Sequence, residues 1–278
     1  MGKNKKIYIS FDFEGIGGVS FWKETDGDMR WNRIATEQLK AFIDGIKAQD
    51  KDAEILISDS HSFGTSLIWE ELEGVKLIRG WPRIYYMVEG LDNSFTDLVL
   101  FGYHTAIGGS GMMDHSYSSS SIYSIKINGE YLDEARINSY FAGELNVPLS
   151  FIYGDKQTVI SSPAYPEIDY CISKEAISRF SGLMRPRKEL LDELYEKGKN
   201  LGKKRKLLIP NPKDNGEIYP LYVEIEFTDS AKAKVTSILP EFNLINPRKV
   251  EFTCKNMDYF YRYLNAITLI CSSTKNVM

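Results

Sequence analysis

The sequence predicts an α/β fold, a three-layer core with a mainly parallel sheet, plus a smaller α+β C-terminal subdomain. Three observations lead to this prediction. Short apolar runs that end in polar or glycine-rich turns recur through the first half of the chain. A segment with helical spacing of apolar residues separates the first two runs. After about residue 205 the pattern changes to an alternation of apolar and polar residues.

The apolar runs have the length and composition of buried strands. In chain order they are KIYISFDFEG, AEILISDSH, GVKLIRG, DLVLFGYH and PLSFIYGD. Between the first two, one helical face carries Ile34, Leu39, Phe42, Ile43 and Ile46. The result is a strand, crossover helix, strand unit, and further helices are predicted over residues 134 to 145 and 186 to 201.

The second half of the chain has a different pattern of apolar residues. LYVEIEF, AKVTSI and VEFTC are predicted as strands, and MDYFYRYLNAITLICSS as a closing helix. We therefore expect an α/β domain over residues 1–205 and an α+β subdomain over residues 206–278. The connector KKRKLLIPNPKDNGEIYP is rich in turn residues and could equally lie within one compact domain.

Composition narrows the classes of partner. The chain has 278 residues, 43% of them hydrophobic, with a formal net charge of −4 and a pI near 5.6. A nucleic-acid or anionic-membrane partner would favour a basic surface, so we expect a small-molecule partner instead. No signal-type core or membrane-spanning stretch is visible, and a cytoplasmic location is expected. The three widely spaced cysteines predict small buried residues, because none forms a CxxC pair.

Two carboxylates end the first predicted strand. Asp12 and Glu14 are two residues apart, so on an extended strand their side chains point to the same face. Adjacent carboxylates repel, and a divalent cation relieves that repulsion most simply. On this fragment alone, the plainer interpretation is that the pair only begins a loop.

Histidines strengthen the metal hypothesis. The chain has three, and two of them follow predicted strands directly: His61 after ILISDS and His104 after LVLFGY. Ligands of open α/β sheets bind beyond the carboxyl ends of the strands, where these side chains would meet. The third, His115, lies in the glycine-rich segment GSGMMDHS and is a candidate further ligand, general acid or base, or oxyanion stabiliser. Imidazole and carboxylate without thiolate suit zinc (Zn2+), although Mn2+ or Co2+ accept the same ligands.

At these residues the sequence resembles the zinc-dependent D-aminopeptidases, the DppA-like bacterial peptidases. The matching stretches are SFDFEGIGG, ISDSHS, MVEGLD, LFGYHT, MMDHS and DEARINSYFAGELNVPLSFIYGD, in family order. The resemblance implies two zinc ions per subunit, short peptide substrates and a homo-oligomer, a decameric ring. The function that the resemblance implies is removal of N-terminal residues of D configuration from these peptides by a metal-activated water.

The same resemblance implies a role for each site residue. Asp12 would bridge the two zinc ions, with Glu14 and His61 on one and His104 and Glu134 on the other. His115 corresponds to the catalytic histidine. Where the family has glycine before the glutamate, this chain has Asp133, so Glu130 and Asp133 are alternatives to Glu134; the following Asn138 and Tyr140 favour Glu134.

Two other functions use the same residue types. A metal-dependent phosphoesterase would also cluster Asp, Glu and His at strand ends, but few lysines or arginines lie near the candidate ligands. A non-catalytic metal-binding protein on the same fold is the other alternative.

Overall fold

The computed structural model describes residues 5–160 and 167–274. The strands in those ranges are β1 (Lys6–Phe11), β2 (Glu54–Asp59), β3 (Lys76–Ile78), β4 (Asp97–Tyr103), β5 (Ile122–Ile127), β6 (Glu130–Tyr131), β7 (Leu149–Gly154), β8 (Asp169–Ile172), β9 (Lys174–Ser178), β10 (Ser181–Met184), β11 (Leu221–Phe227), β12 (Asn243–Asn246) and β13 (Lys249–Cys254). The α-helices are α1 (Met29–Gln49), α2 (Glu134–Glu144), α3 (Lys156–Ile160), α4 (Arg187–Lys199), α5 (Ser230–Thr236) and α6 (Met257–Ser273).

A six-stranded sheet forms the centre of the molecule. Its strand order is β3-β2-β1-β4-β7-β8, and every neighbouring pair is parallel. All five apolar runs of the first half are strands of this sheet. The predicted α/β class with a mainly parallel sheet is confirmed. Because β1, β2 and β4 are adjacent, their carboxyl ends lie side by side, and the candidate ligands follow those ends.

The core has two layers, one on each face of the parallel sheet, and the side chains of β1 point alternately into them. Ile7 and Ile9 face the layer that contains α1 and α4, whereas Tyr8 faces the layer that contains α2, α6 and the second sheet. Helix α1 begins where the side chain of Asp28 accepts a hydrogen bond from the backbone N–H of Arg30. The sheet is therefore buried on both faces, which explains its continuous apolar runs.

A five-stranded antiparallel sheet has the order β12-β13-β11-β5-β6. Strands β11 and β13 were predicted, but β5 and β6 come from residues before 205; β5 pairs with β11, and β6 pairs with β5 at the edge of the sheet. This sheet therefore joins the two halves of the chain. The division into residues 1–205 and 206–278 stays a prediction.

One predicted strand is wrong. AKVTSI alternates like a strand, but Ser230–Thr236 form helix α5. Asp229 precedes the helix, and its side chain accepts a hydrogen bond from the backbone N–H of Lys232. This N-cap and the alanine and lysine residues behind it favour a helix, so local capping outweighs the short alternation.

Across the two described ranges, no helix has the length and apolarity needed to cross a membrane. The expected cytoplasmic location stays a prediction. Cys171, Cys254 and Cys271 are all buried and free, as their spacing predicts.

Candidate metal centre

The backbone that follows β1 is hydrogen-bonded to β4, and this fixes Asp12 and Glu14 at the carboxyl end of the sheet. The N–H of Asp12 donates to the carbonyl of Phe101 at 2.7 Å, and the N–H of Gly15 donates to the carbonyl of Gly102 at 2.7 Å. Gly102 has a φ of +88°, and a Cβ there would overlap the carbonyl oxygen of Asp12. Asp12 and Glu14 are only 3% and 1% exposed. The loop thus presents two carboxylates inside the protein rather than to solvent.

Two histidines converge on these carboxylates. Nδ1 of His61 lies 3.1 Å from Oε2 of Glu14 and 3.5 Å from Oδ1 of Asp12. Nε2 of His104 lies 3.4 Å from the other oxygen of Asp12, Oδ2. Nδ1 of His104 is 2.9 Å from the carbonyl oxygen of Thr105, so Nδ1–H donates there and Nε2 is the atom that faces the cluster.

Glu134 begins helix α2 and faces the same cluster. Its Oε1 lies 3.5 Å from Nε2 of His104 and accepts a hydrogen bond from the backbone N–H of Tyr117 at 2.6 Å. The two alternatives lie elsewhere: the side chain of Asp133 caps α2, and Glu130 forms an ion pair of 2.6 Å with Arg136. Of the three acidic residues, Glu134 is the one that the structure brings to the histidines.

His115 lies against His104. The two rings stack with a centroid distance of 4.1 Å and an interplanar angle of 11°. Nδ1 of His115 is 2.9 Å from the carbonyl oxygen of Met113, which leaves Nε2 3.8 Å from Oε1 of Glu14 and 4.0 Å from Oε1 of Glu134. Trp22 also packs against His115, with the two rings perpendicular and their centroids 5.0 Å apart. His115 is therefore fixed within reach of the cluster, and it groups with His104 and Glu134 as a possible ligand set.

The electrostatics of the cluster are those of a cation site. Burial raises the pKa of Asp12 to about 7, and the neighbouring carboxylate of Glu14 adds to the shift. Burial opposes ionisation of Glu14, but His61 outweighs it and holds the pKa of Glu14 well below its usual value. Against burial, Glu14 raises the pKa of His61 and Glu134 raises that of His104. In the metal-free protein, protons on these imidazoles offset the carboxylate charges.

Burial lowers the pKa of His115, and the adjacent His104 lowers it further. His115 is therefore neutral at neutral pH, with an unprotonated Nε2. This sets it apart from His61 and His104, whose pKa values move in the opposite direction.

The donors fit zinc. Among the described residues, Oδ2 of Asp12 and Nε2 of His104 are buried and have no hydrogen-bond partner. They are 3.4 Å apart, which is about the separation of two ligand atoms on one tetrahedral zinc with bonds of about 2.1 Å. Carboxylate oxygens and imidazole nitrogens are also ligand types that zinc accepts. A shared cation would satisfy both atoms.

A buried hydroxyl network backs the ligands and was not predicted. Asn138, one turn after Glu134 in α2, donates from Nδ2 to the hydroxyl of Tyr103 at 2.6 Å. Its Oδ1 accepts from the hydroxyls of Tyr117 and Tyr261. The Tyr103 hydroxyl is also 2.6 Å from Oγ of Ser10. Helix α6 is thereby connected to the segments that carry the ligands.

Comparison with known proteins identifies the family. A sequence model of the D-aminopeptidase family matches residues 5–266, nearly the whole chain. The chain belongs to the D-aminopeptidase family. It is therefore an aminopeptidase-type hydrolase, as the resemblance of its motifs implies.

The chain is similar to a D-aminopeptidase sequence and to a solved D-aminopeptidase structure, both from Bacillus subtilis. The chain is 28% identical over 291 aligned positions to the D-aminopeptidase of Bacillus subtilis (strain 168), covering 97% of this chain and 98% of that protein. It also matches the structure described as a Zn-dependent D-aminopeptidase DppA from Bacillus subtilis, a self-compartmentalizing protease, with a TM-score of 0.86 and 27% identity. That match covers 97% of this chain and 99% of the other.

All six residues singled out from the sequence lie in one cluster. The carboxylates and His61 and His104 follow β1, β2 and β4, Glu134 opens α2, and His115 comes from the loop between β4 and β5. Their roles as ligands or catalytic group stay predictions. Of the supporting residues, Asn138 entered the sequence analysis only through the family resemblance, and Tyr117 and Tyr261 gave no individual signal, because a single tyrosine is ordinary in a core.

Proposed function

We propose that the chain is a dizinc aminopeptidase that removes N-terminal residues, of D configuration, from short peptides or aminoacyl amides. One observation carries the proposal: buried carboxylates and imidazoles converge on a point where Oδ2 of Asp12 and Nε2 of His104 have no other partner in the described part of the chain. Membership of the D-aminopeptidase family supports the reaction, and the zinc dependence of the similar Bacillus subtilis structure supports the metal.

The two oxygens of Asp12 support a bridging role. Oδ1 lies 3.5 Å from Nδ1 of His61, and Oδ2 lies 3.4 Å from Nε2 of His104, so each oxygen faces a different histidine. We assign Glu14 and His61 to one zinc ion and His104 and Glu134 to the other, with Asp12 shared. Mn2+ or Co2+ would accept the same donors.

Bound zinc supplies the Lewis acidity that polarises a scissile carbonyl and makes an attacking water acidic near neutral pH. His115 supplies the proton transfers. Its Nδ1–H is held by the carbonyl of Met113, and its pKa is lowered by burial and by His104, so Nε2 carries a free lone pair. Nε2 takes the proton of the attacking water and delivers it to the leaving nitrogen as the C–N bond breaks.

The test compares hydrolysis of paired D- and L-aminoacyl amides by the chelator-treated protein before and after zinc is restored. We expect D-residue release that appears only with zinc, and two zinc ions per chain by metal analysis. A preference for L-residues would contradict the assigned stereochemistry but not the dizinc site. Failure to cleave either series with both sites filled would overturn the peptidase function, and phosphate esters in the same assay test the phosphoesterase alternative.

We also propose that the chain forms a homo-oligomer, a decameric ring like that implied by its family motifs. The description of the similar structure as self-compartmentalizing supports this assembly. A ring that encloses the active sites would admit only short peptides as substrates. Sedimentation velocity tests it: a monomer at micromolar concentration would contradict the ring.

A further inference from the structure

The hairpin formed by β9 and β10 contacts both loops that carry candidate site residues. We call residues 14–19, after β1, the ligand loop, and residues 105–117, after β4, the histidine loop. The hairpin begins at Lys174 and turns at Arg179 and Phe180. Neither its sequence nor its position among the strands predicts a link to the site.

At the base of the hairpin, Lys174 is fully buried, with 0% of its surface exposed. Its Nζ donates to three backbone carbonyls of the ligand loop: those of Glu14 at 2.6 Å, Ile16 at 3.0 Å and Val19 at 2.5 Å. An ammonium group has three N–H donors, so every donor is used on this one loop. The loop is thus wrapped around a single cationic atom.

Burying an ammonium group in a protein is costly unless its donors are satisfied. Burial accordingly lowers the pKa of Lys174 to about 8. An apolar side chain could fill the same space. Three carbonyl oxygens that point to one position, however, require a hydrogen-bond donor there. The first of these carbonyls belongs to Glu14 itself, so the hydrogen bond fixes the backbone of a candidate ligand.

At the tip of the hairpin, Arg179 holds the histidine loop. Its Nε lies 2.7 Å from Oδ1 of Asp114, and its Nη2 donates to the carbonyl of Asp114 at 2.8 Å. The backbone N–H of Met113 donates to the carbonyl of Arg179 at 2.8 Å. On the other side, Oδ2 of Asp114 accepts from the N–H of Gly108 at 2.6 Å. His115 is the residue after Asp114, so its backbone is tied to the hairpin.

We propose that this hairpin is a positioning element for both halves of the site: Lys174 sets the ligand loop for cation binding, and Arg179 sets the histidine loop for proton transfer. Lys174 and Arg179 are positioning residues, since neither faces the cluster. The inference deepens the proposed function: the effect of Lys174 rests on the proposed zinc site, and the effect of Arg179 on turnover rests on the proposed hydrolysis.

The first experiment measures zinc affinity by competition with a chromophoric chelator in Lys174→Met. We expect zinc binding weaker by about 10-fold to 100-fold, the range for residues that orient metal ligands. The matched control is Lys232→Met, because Lys232 is also buried, at 5% exposure, but pairs with Asp229 at α5. The control should lose stability and keep its zinc affinity.

The direction of the change is diagnostic. If Lys174 acted only as a positive charge beside the cations, its removal would tighten zinc binding, since like charges repel. Unchanged or tighter binding by folded Lys174→Met therefore overturns the inference. Should that variant fail to fold, zinc affinity is measured instead in Lys174→Gln, which is neutral and retains two donors. Unchanged or tighter zinc binding by Lys174→Gln again overturns the inference.

The second experiment concerns Arg179→Ala, with Lys156→Ala as the control because Lys156 pairs with Glu175 of the same hairpin at 3.0 Å. In Arg179→Ala we expect near-normal zinc affinity, faster hydrogen exchange over residues 105–117, and kcat lowered by about 10-fold through loss of orientation. Exchange equal to that of the control would overturn the role of Arg179. If the unaltered protein cleaves no aminoacyl amide, the proposed function fails, whereas zinc affinity and hydrogen exchange still decide the role of the hairpin.

Discussion

Nε2 of His104 lies 3.4 Å from Oδ2 of Asp12, and within residues 5–160 and 167–274 neither atom has a hydrogen-bond partner. A buried polar atom without a partner is costly. Both atoms gain a partner at once when a cation lies between them. The affinity of the site for zinc should therefore depend on both side chains.

Asp12→Asn tests the bridging carboxylate. The substitution keeps the size of the side chain and removes its charge, so we expect zinc affinity to fall by more than about 100-fold, beyond the usual effect of a residue that only orients a ligand. Equilibrium dialysis with metal analysis measures it.

The matched control for Asp12→Asn is Asp97→Asn. Asp97 is equally buried, at 1% exposure, but lies at the opposite end of the sheet, where it accepts a hydrogen bond from Ser150 at 2.5 Å. The control should keep its zinc. Two zinc ions retained by Asp12→Asn would rule out the bridging assignment.

His115→Ala separates catalysis from metal binding. Because Nε2 of His115 is 3.8 Å from Glu14 and neutral, we expect the variant to keep both zinc ions and lose about 10²-fold to 10⁴-fold in kcat/KM. Turnover of D-aminoacyl amides and metal content are measured on the same sample. Normal turnover would remove His115 from the mechanism, and loss of one zinc ion would instead make it a ligand.

Zinc binding should strengthen as pH rises. In the metal-free protein the pKa values of His61 and His104 are raised from the usual 6.5 by Glu14 and Glu134, against burial. Their charged pairs stabilise the metal-free fold fully below pH 6.5, and that contribution is lost as pH rises through the raised values. Zinc requires neutral imidazoles, so it competes with protons across that same window.

Isothermal titration of zinc in buffers of different ionisation enthalpy measures the protons released on binding. We expect release at neutral pH that declines towards alkaline pH, with affinity rising in parallel. Zinc affinity that does not change over about pH 6 to about pH 9 would contradict these protonation states.

Gly102→Ala should be far more destabilising than Gly216→Ala. Both glycines have positive φ, +88° and +82°, so the conformational strain of alanine is similar at the two positions. At Gly102 the added Cβ would overlap the backbone of Asp12, whereas at Gly216 nothing lies within 4 Å. The difference between the two variants isolates the steric effect.

For Gly102→Ala we expect a loss of more than about 3 kcal/mol in the free energy of unfolding and weaker zinc binding, compared with about 1 kcal/mol and normal zinc binding for the control. Urea denaturation measures the stability. Equal losses in the two variants would show that the close approach of β4 to Asp12 does not matter.

Tyr261→Phe tests the hydroxyl network. Loss of the hydroxyl that donates to Oδ1 of Asn138 should lower the free energy of unfolding of the metal-free protein by about 0.5–1.5 kcal/mol. Tyr263→Phe, on the same helix, is the control because Tyr263 packs on Phe242 and Phe252 outside this network. A larger loss in the control than in Tyr261→Phe would contradict the network.

Much of the parallel sheet could be predicted, because β1, β2, β4 and β7 are apolar runs that are mostly buried. The same runs end in Asp12, His61 and His104, so the meeting point of these residues followed from the topology. AKVTSI was misread because alternation over six residues is a weaker signal than the Asp229 cap in front of it.

The rest of the site depends on contacts that no local pattern contains. Lys174 lies 160 residues from Glu14, and the hydroxyl of Tyr261 meets Asn138 across 123 residues. A lysine in a short strand or a tyrosine in an amphipathic helix is ordinary in sequence. Glu134 is intermediate: it looks like a surface charge next to Asp133, and the resemblance to a family identified it.

The hydroxyl of Tyr261 has a consequence for synthesis on the ribosome. The segments that supply Asp12, His61, His104 and Glu134 leave the exit tunnel long before α6 is made. Until then Oδ1 of Asn138 lacks one of its two tyrosine donors. The hydrogen-bond network behind the candidate ligands is therefore completed only when α6 has been made and has packed.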